Sequence, residues 1–186
     1  MRRITAILLS VLFLLPGCRT KENAGRGEKI QDYFADLQKF SFGGTLRTDY
    51  GDRVIDFGLD CAFNGGEIRV AVTSPEYLRG VAATLKPGSV TLEYDSFILE
   101  TGQLPGTGLS PLEIIPFMLS QWGAGYVTSQ SAETLDGAQC HRMTFAKDNT
   151  EVNAWFSKDN APIQCELIAD GALVARLSIS DFSVSP

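Results

Sequence analysis

The chain is short of the residues from which most catalytic and metal centres are built. It has one histidine, four cysteines and three methionines among 186 residues. A single histidine cannot complete a His/Cys ligand set, and no Cys-x-x-Cys spacing occurs, so a zinc site is excluded. The acidic residues form no Asp-x-Asp-x-Asp-Gly calcium loop. Gly43-Gly44 and Gly65-Gly66 fall at strand starts and turns, so no phosphate loop stands between a strand and a helix. Positive charge is also scarce: 16 basic residues face 22 acidic ones, a net charge of −6. That balance gives nucleic acid no electrostatic foothold. After the N-terminal run there is no second long apolar span, no low-complexity tract and no internal repeat. No cofactor is implied.

What is present begins at the N-terminus. Arg2 and Arg3 precede an apolar run over residues 4–15, and Gly17 stands directly before Cys18. This is the layout of a secretory signal, and the run is too short for a spanning helix. The ending Leu15-Pro16-Gly17-Cys18 resembles a bacterial lipobox, which implies a diacylglycerol on the Cys18 thiol and cleavage in front of it. Residues 1–17 are then the signal peptide. Residues 18–27 are polar, lack any apolar pattern and read as a lipidated flexible tether. Residues 28–186 suffice for one domain with a substantial core. Loss of Arg2 and Arg3 leaves 14 basic against 22 acidic residues, a net charge of −8. Such a body is not drawn to anionic head groups, so attachment rests on the acyl chains, at about 0.8 kcal/mol per buried methylene. The expected place is the extracytoplasmic face of the cell membrane.

Periodicity organises the rest. In residues 28–40, Ile30, Tyr33, Phe34, Leu37 and Phe40 fall at helical spacing and predict one amphipathic helix. Residues 42–50 read as a strand. In residues 53–63, Ile55, Phe57, Leu59, Cys61 and Phe63 alternate with small or acidic residues, the pattern of a strand with one buried face. Asn64-Gly65-Gly66 supplies a hairpin turn, and strands follow at 67–72, 81–85, 90–94 and 97–101. Residues 109–125 break the pattern with a helical start: Ser110 as cap, Pro111 at the first position and Glu113 completing a capping box. Pro116 predicts a kink or split in that helix. Strands resume over 126–135, 138–146, 151–157, 163–169 and 173–184, joined by Asp136-Gly137, Asp148-Asn149, Lys158-Asp159-Asn160 and Asp170-Gly171. The expected class is α+β: about ten antiparallel strands in a curved sheet, an N-terminal helix and a broken internal helix.

This element order resembles the LolA/LolB superfamily of envelope lipoprotein carriers. The nearest local echoes are the run from Ser110 to Leu119 and the terminal strand Leu177 to Phe182. The resemblance covers residues 28–186 and implies a half-closed β-barrel whose concave face and helical lid hold acyl chains. Cys18 makes the chain resemble anchored relatives rather than the soluble periplasmic carrier. Germination lipoproteins of the GerS kind share the fold class, and they imply a second role: binding and regulating an envelope or spore-cortex amidase.

The lid segment carries the candidate ligand-binding residues Ile114, Ile115, Phe117, Met118 and Trp122. They either line a cavity for acyl chains or another apolar ligand, or fill the concave face as core. His141 lies in a strand beside Met143 and Phe145, and its neighbour Cys140 points to the opposite face, a poor geometry for a nucleophile and its base. No hydrolase centre can be assembled, and the chain is expected to be non-catalytic. Three cysteines follow Cys18. Three free thiols are expected; if two of them bridge, Cys61 and Cys165 are the pair whose side chains both face inward. The sequence thus leaves a carrier of lipid or lipoprotein and an anchored partner of an envelope protein. For the anchor, Cys18→Ala in the full chain is expected to abolish metabolic palmitate labelling and release the protein from membranes. Continued labelling would place the lipid elsewhere.

Overall fold

The computed structural model describes residues 20–95, 97–102 and 110–185; the expected signal peptide and Cys18 lie outside the described residues. Helix α1 (Thr20–Asp36) leads into β1 (Lys39–Asp49), β2 (Val54–Asn64), β3 (Glu67–Ser74), β4 (Ala82–Lys86), β5 (Ser89–Tyr94) and β6 (Phe97–Gly102). Helix α2 (Pro111–Ala124) follows, then β7 (Val127–Leu135), β8 (Ala138–Lys147), β9 (Thr150–Phe156), β10 (Pro162–Ala169) and β11 (Ala172–Val184). The strands form one antiparallel sheet in the order β6-β5-β4-β3-β2-β1-β11-β10-β9-β8-β7. Two meanders therefore meet at β1 and β11, and the outer strands β6 and β7 are not paired with each other. The result is a curved, open half-barrel of the expected α+β class, and its eleven strands match the eleven strand segments read from the sequence.

The turns follow from local chemistry. Gly65-Gly66, Asp136-Gly137 and Asp170-Gly171 each carry positive φ at both positions, and this conformation matches the right-handed twist of the strands they join. Alternation places Phe42, Leu46, Phe57, Leu59, Cys61, Val70, Cys165 and Leu177 on the buried concave face. Leu46 sits opposite both Phe57 and Leu177, so the seam between the meanders is packed from either side.

Two helices differ from expectation. Helix α1 starts at Thr20 and takes in residues 20–27, whose composition marked them as tether. Packing holds the end of this stretch: Gly27 is buried, and Arg26 Nη2 donates to the carbonyls of Ser157 (3.0 Å) and Lys158 (2.7 Å). The same helix ends before Phe40, which lies in β1 with its ring 6.3 Å from that of Phe34. The apolar stripe is continuous in space although it crosses from helix to strand. Helix α2 is unbroken across Pro116, correcting the expected split. Proline there withholds only the bond to the Leu112 carbonyl, while Ile115, Met118 and Leu119 on either side of it are buried.

The helices cross closely at Gly123, where an added Cβ would lie 2.9 Å from the Ala35 backbone nitrogen. Gly123→Ala should therefore destabilise by about 1–3 kcal/mol through overpacking, despite a gain of up to about 1 kcal/mol in helix propensity. A lowered thermal midpoint checks this; an unchanged or raised one contradicts the close contact.

Candidate functional site

The site is built by α2 on the concave face. Ser110, in extended conformation, accepts a hydrogen bond from the Leu112 backbone N–H on its Oγ at 3.3 Å, and Pro111 opens the first turn. From there the helix lays its apolar residues onto the sheet. Ile114, Ile115, Met118 and Trp122 are at most 1 % exposed and belong to the central core. Trp122 meets the rings of Phe34 (5.1 Å), Phe156 (6.0 Å), Phe40 (6.3 Å) and Phe42 (6.5 Å). Its indole N–H has no hydrogen-bond partner among the described residues. Phe117 stands apart from the other four lid residues: it is half-buried on the outer side of α2, with Lys147 Nζ 5.8 Å from its ring centroid.

Open apolar space lies on both flanks of this helix. A groove of ≈ 460 Å³ runs between α2 and the first meander, bounded by Phe34, Phe40, Phe63, Ile68, Leu119 and Trp122. Phe40 and Phe63 stack at 4.9 Å to make its floor. Ile68 pairs with Leu85, and Leu85 with Val90, so the apolar face continues from this groove across β4 and β5. A second groove of ≈ 340 Å³ lies beside Phe117 and is bordered by Glu113, Lys147 and Asp148. The first groove was not legible in the sequence, because it joins Phe40, Phe63 and Ile68 from three strands to the lid. Only a knowledge of register brings them together.

The thiols are separate. Cys61, Cys140 and Cys165 are free and buried. Cys61 lies on β2 and Cys165 on β10, with β1 and β11 between them. At about 4.8 Å per strand their separation far exceeds bridging range, and the candidate Cys61–Cys165 disulfide is corrected. Burial pushes both thiols up to about 12. The sulfur of Cys140 points to the Glu133 carbonyl at 3.5 Å, whereas His141 Nε2 meets Gln130 Oε1 at 3.1 Å. Burial, reinforced by Arg26, holds the imidazole below its ordinary 6.5 and hence neutral. Among the described residues, no group of three or more His, Cys, Asp or Glu could hold a metal ion.

Sequence reasoning missed a polar network on β7–β9. Glu133 accepts from Trp155 Nε1 (3.0 Å), Ser131 Oγ (2.9 Å) and Arg142 Nη1 (3.4 Å). Burial tends to raise the Glu133 carboxyl, but these donors and the Arg142 charge outweigh it and lower it. Arg142 reaches on to Asn153 Oδ1 at 3.0 Å and lies over the Trp155 ring. The Asp136-Gly137 turn sets Ser131 opposite Arg142, which was the available signal. The network is a structural clamp, since Arg142 on β8 and Trp155 on β9 both donate to Glu133 on β7.

No protein-family model and no curated protein matches the chain in sequence. Solved structures do match. An uncharacterized conserved protein from Thermus thermophilus has 9 % identity and a TM-score of 0.54, covering 87 % of this chain and 88 % of the other. LolA superfamily protein NE2245 from Nitrosomonas europaea has 15 % identity and a TM-score of 0.44, covering 88 % and 94 %. A chain from the Clostridioides difficile complex of the CwlD amidase with the GerS lipoprotein has 15 % identity and a TM-score of 0.43, covering 92 % and 100 %. LolA-superfamily structures are thus among those this chain resembles. What is shared at such identities is the fold, and function must be argued from the site.

The thiols generate a pH prediction. A group whose pKa is higher folded than unfolded stabilises the protein below its unfolded value, and that stability is lost as pH rises through the folded value. Cys61 and Cys165 should therefore make stability fall from about pH 9 towards pH 12. At pH 8 a thiol reagent should leave Cys61, Cys140 and Cys165 unmodified until the protein is denatured, read by peptide mass mapping. Modification of Cys61 or Cys165 in the folded state contradicts their burial.

Proposed function

We propose that this chain is an extracytoplasmic lipoprotein, anchored through Cys18, that binds an acyl chain or similar apolar ligand without catalysing a reaction. The observation that carries the reading is the ≈ 460 Å³ groove between α2 and the concave face. Its volume falls within the roughly 300–1,000 Å³ usual for small-molecule sites, and its walls are largely aromatic and aliphatic. The buried lid residues fix α2 in place, so ligand occupies its flank rather than a chamber beneath it. Of the five lid residues, Trp122 reaches this groove, with Leu119 beside it, and Ile114 and Phe117 border the smaller one. The anchor favours a stationary holder of ligand over a shuttle.

A second reading is an anchored interaction protein that regulates an envelope enzyme. It is favoured by Ile114, Ile115, Met118 and Trp122 being spent on the core. A fluorescent fatty-acid probe separates the two readings. Saturable binding by the wild-type protein, weakened about tenfold or more in Ile68→Trp with unchanged circular dichroism, is the expected result; tenfold corresponds to about 1.4 kcal/mol. Equal binding by the variant would move the ligand out of the groove, and absence of binding would favour the protein-partner reading.

A further inference from the structure

The two outer strands of the sheet are finished differently. Strand β7 reads Val-Thr-Ser-Gln-Ser-Ala-Glu-Thr-Leu, and α1 packs against it, so that edge is polar and covered. Strand β6 begins Phe97-Ile98-Leu99, with side chains 76 %, 72 % and 61 % exposed, next to Tyr94 on β5 at 53 %. Tyr94 pairs with Phe97 and Leu92 with Leu99, so Phe97, Leu99 and Tyr94 share the concave face while Ile98 projects from the other. Alternate residues of β6 direct their backbone N–H and C=O groups away from β5, and no further strand lies beside them among the described residues. Lysine, proline and bulges, the devices that usually protect such an edge, do not occur within Phe97-Ile98-Leu99.

We infer that β6 pairs edge to edge with β6 of a second copy of this chain. Three observations choose that occupant. First, a bilayer or an apolar helix face could cover the side chains but could not pair the outward backbone groups, whereas a strand does both. Second, the segment is self-complementary. An antiparallel pairing with its two-fold axis at Ile98 sets Ile98 against Ile98 of the other copy and Phe97 against Leu99, so every central cross-strand pair is apolar. Third, the area suffices. At about 150–250 Å² for a large apolar side chain, the exposed fractions leave roughly 500 Å² per copy. Fully covered in both copies, this amounts to at most about 1,000 Å², the lower bound for a specific interface. The two half-barrels would form one continuous sheet with their concave faces on the same side.

Disulfide cross-linking of the full-length chain in membranes tests the register. Ile98→Cys should oxidise to a covalent dimer, because directly opposed strand residues lie within bridging distance. Phe97→Cys should cross-link with co-expressed Leu99→Cys but not with itself. Tyr77→Cys, exposed but off the edge, should stay monomeric. A monomeric Ile98→Cys under the same oxidation overturns the proposal. So does a Tyr77→Cys dimer of equal yield, which would mean random collision, or an Ile98→Cys adduct with a different protein.

Discussion

Pairing of β1 with β11 is the constraint on which the rest of this fold depends. These strands come from opposite ends of the chain, and their ladder from Phe40–Val184 to Thr48–Ala175 is the only one joining the two meanders among the described residues. Every other ladder in the sheet links strands that are neighbours in sequence, so it carries little loop-closure entropy. The seam carries most of it, and the compensation is visible around Leu46. That residue is fully buried between Phe57 and Leu177. Beyond it, Ser41 and Ser183 hydroxyls meet at 3.0 Å.

Once the seam is closed, the position of α2 is dictated by connectivity. It links the two outermost strands, β6 and β7, and a short connection between opposite rims of a curved sheet must pass across its mouth. A helix in that position is apolar on most sides, because the sheet lies beneath it and α1 beside it. Trp122 then serves two neighbourhoods: one part of the ring completes the aromatic cluster and another forms a wall of the groove. One side chain thus belongs both to the core and to the border of the groove.

Much of this was legible before the fold was known, because it rests on local rules. Gly and Asp at positive φ marked the hairpins, alternation from Ile55 to Phe63 marked β2, and Ser110-Pro111 marked the start of α2. The rest depends on register and distance. Phe40 continued a helical stripe by spacing, but its place in β1 follows from where the chain turns after Asp36. Cys61 and Cys165 both face inward, yet two strands stand between theirs, and no inward-facing pattern reports strand order. Pro116 predicted a break by propensity, and the burial of Ile115, Met118 and Leu119 overrode it. The apolar run Phe97-Ile98-Leu99 breaks the alternation of a half-buried strand, and the structure leaves it at an edge.

An apolar ligand beside α2 is the central functional claim, and native mass spectrometry of the protein recovered without detergent tests it most directly. A species heavier than the same protein denatured, losing the excess as lipid on collisional activation, is the expected result. Protein that flies at its denatured mass, before and after incubation with lipid, would contradict acyl-chain binding.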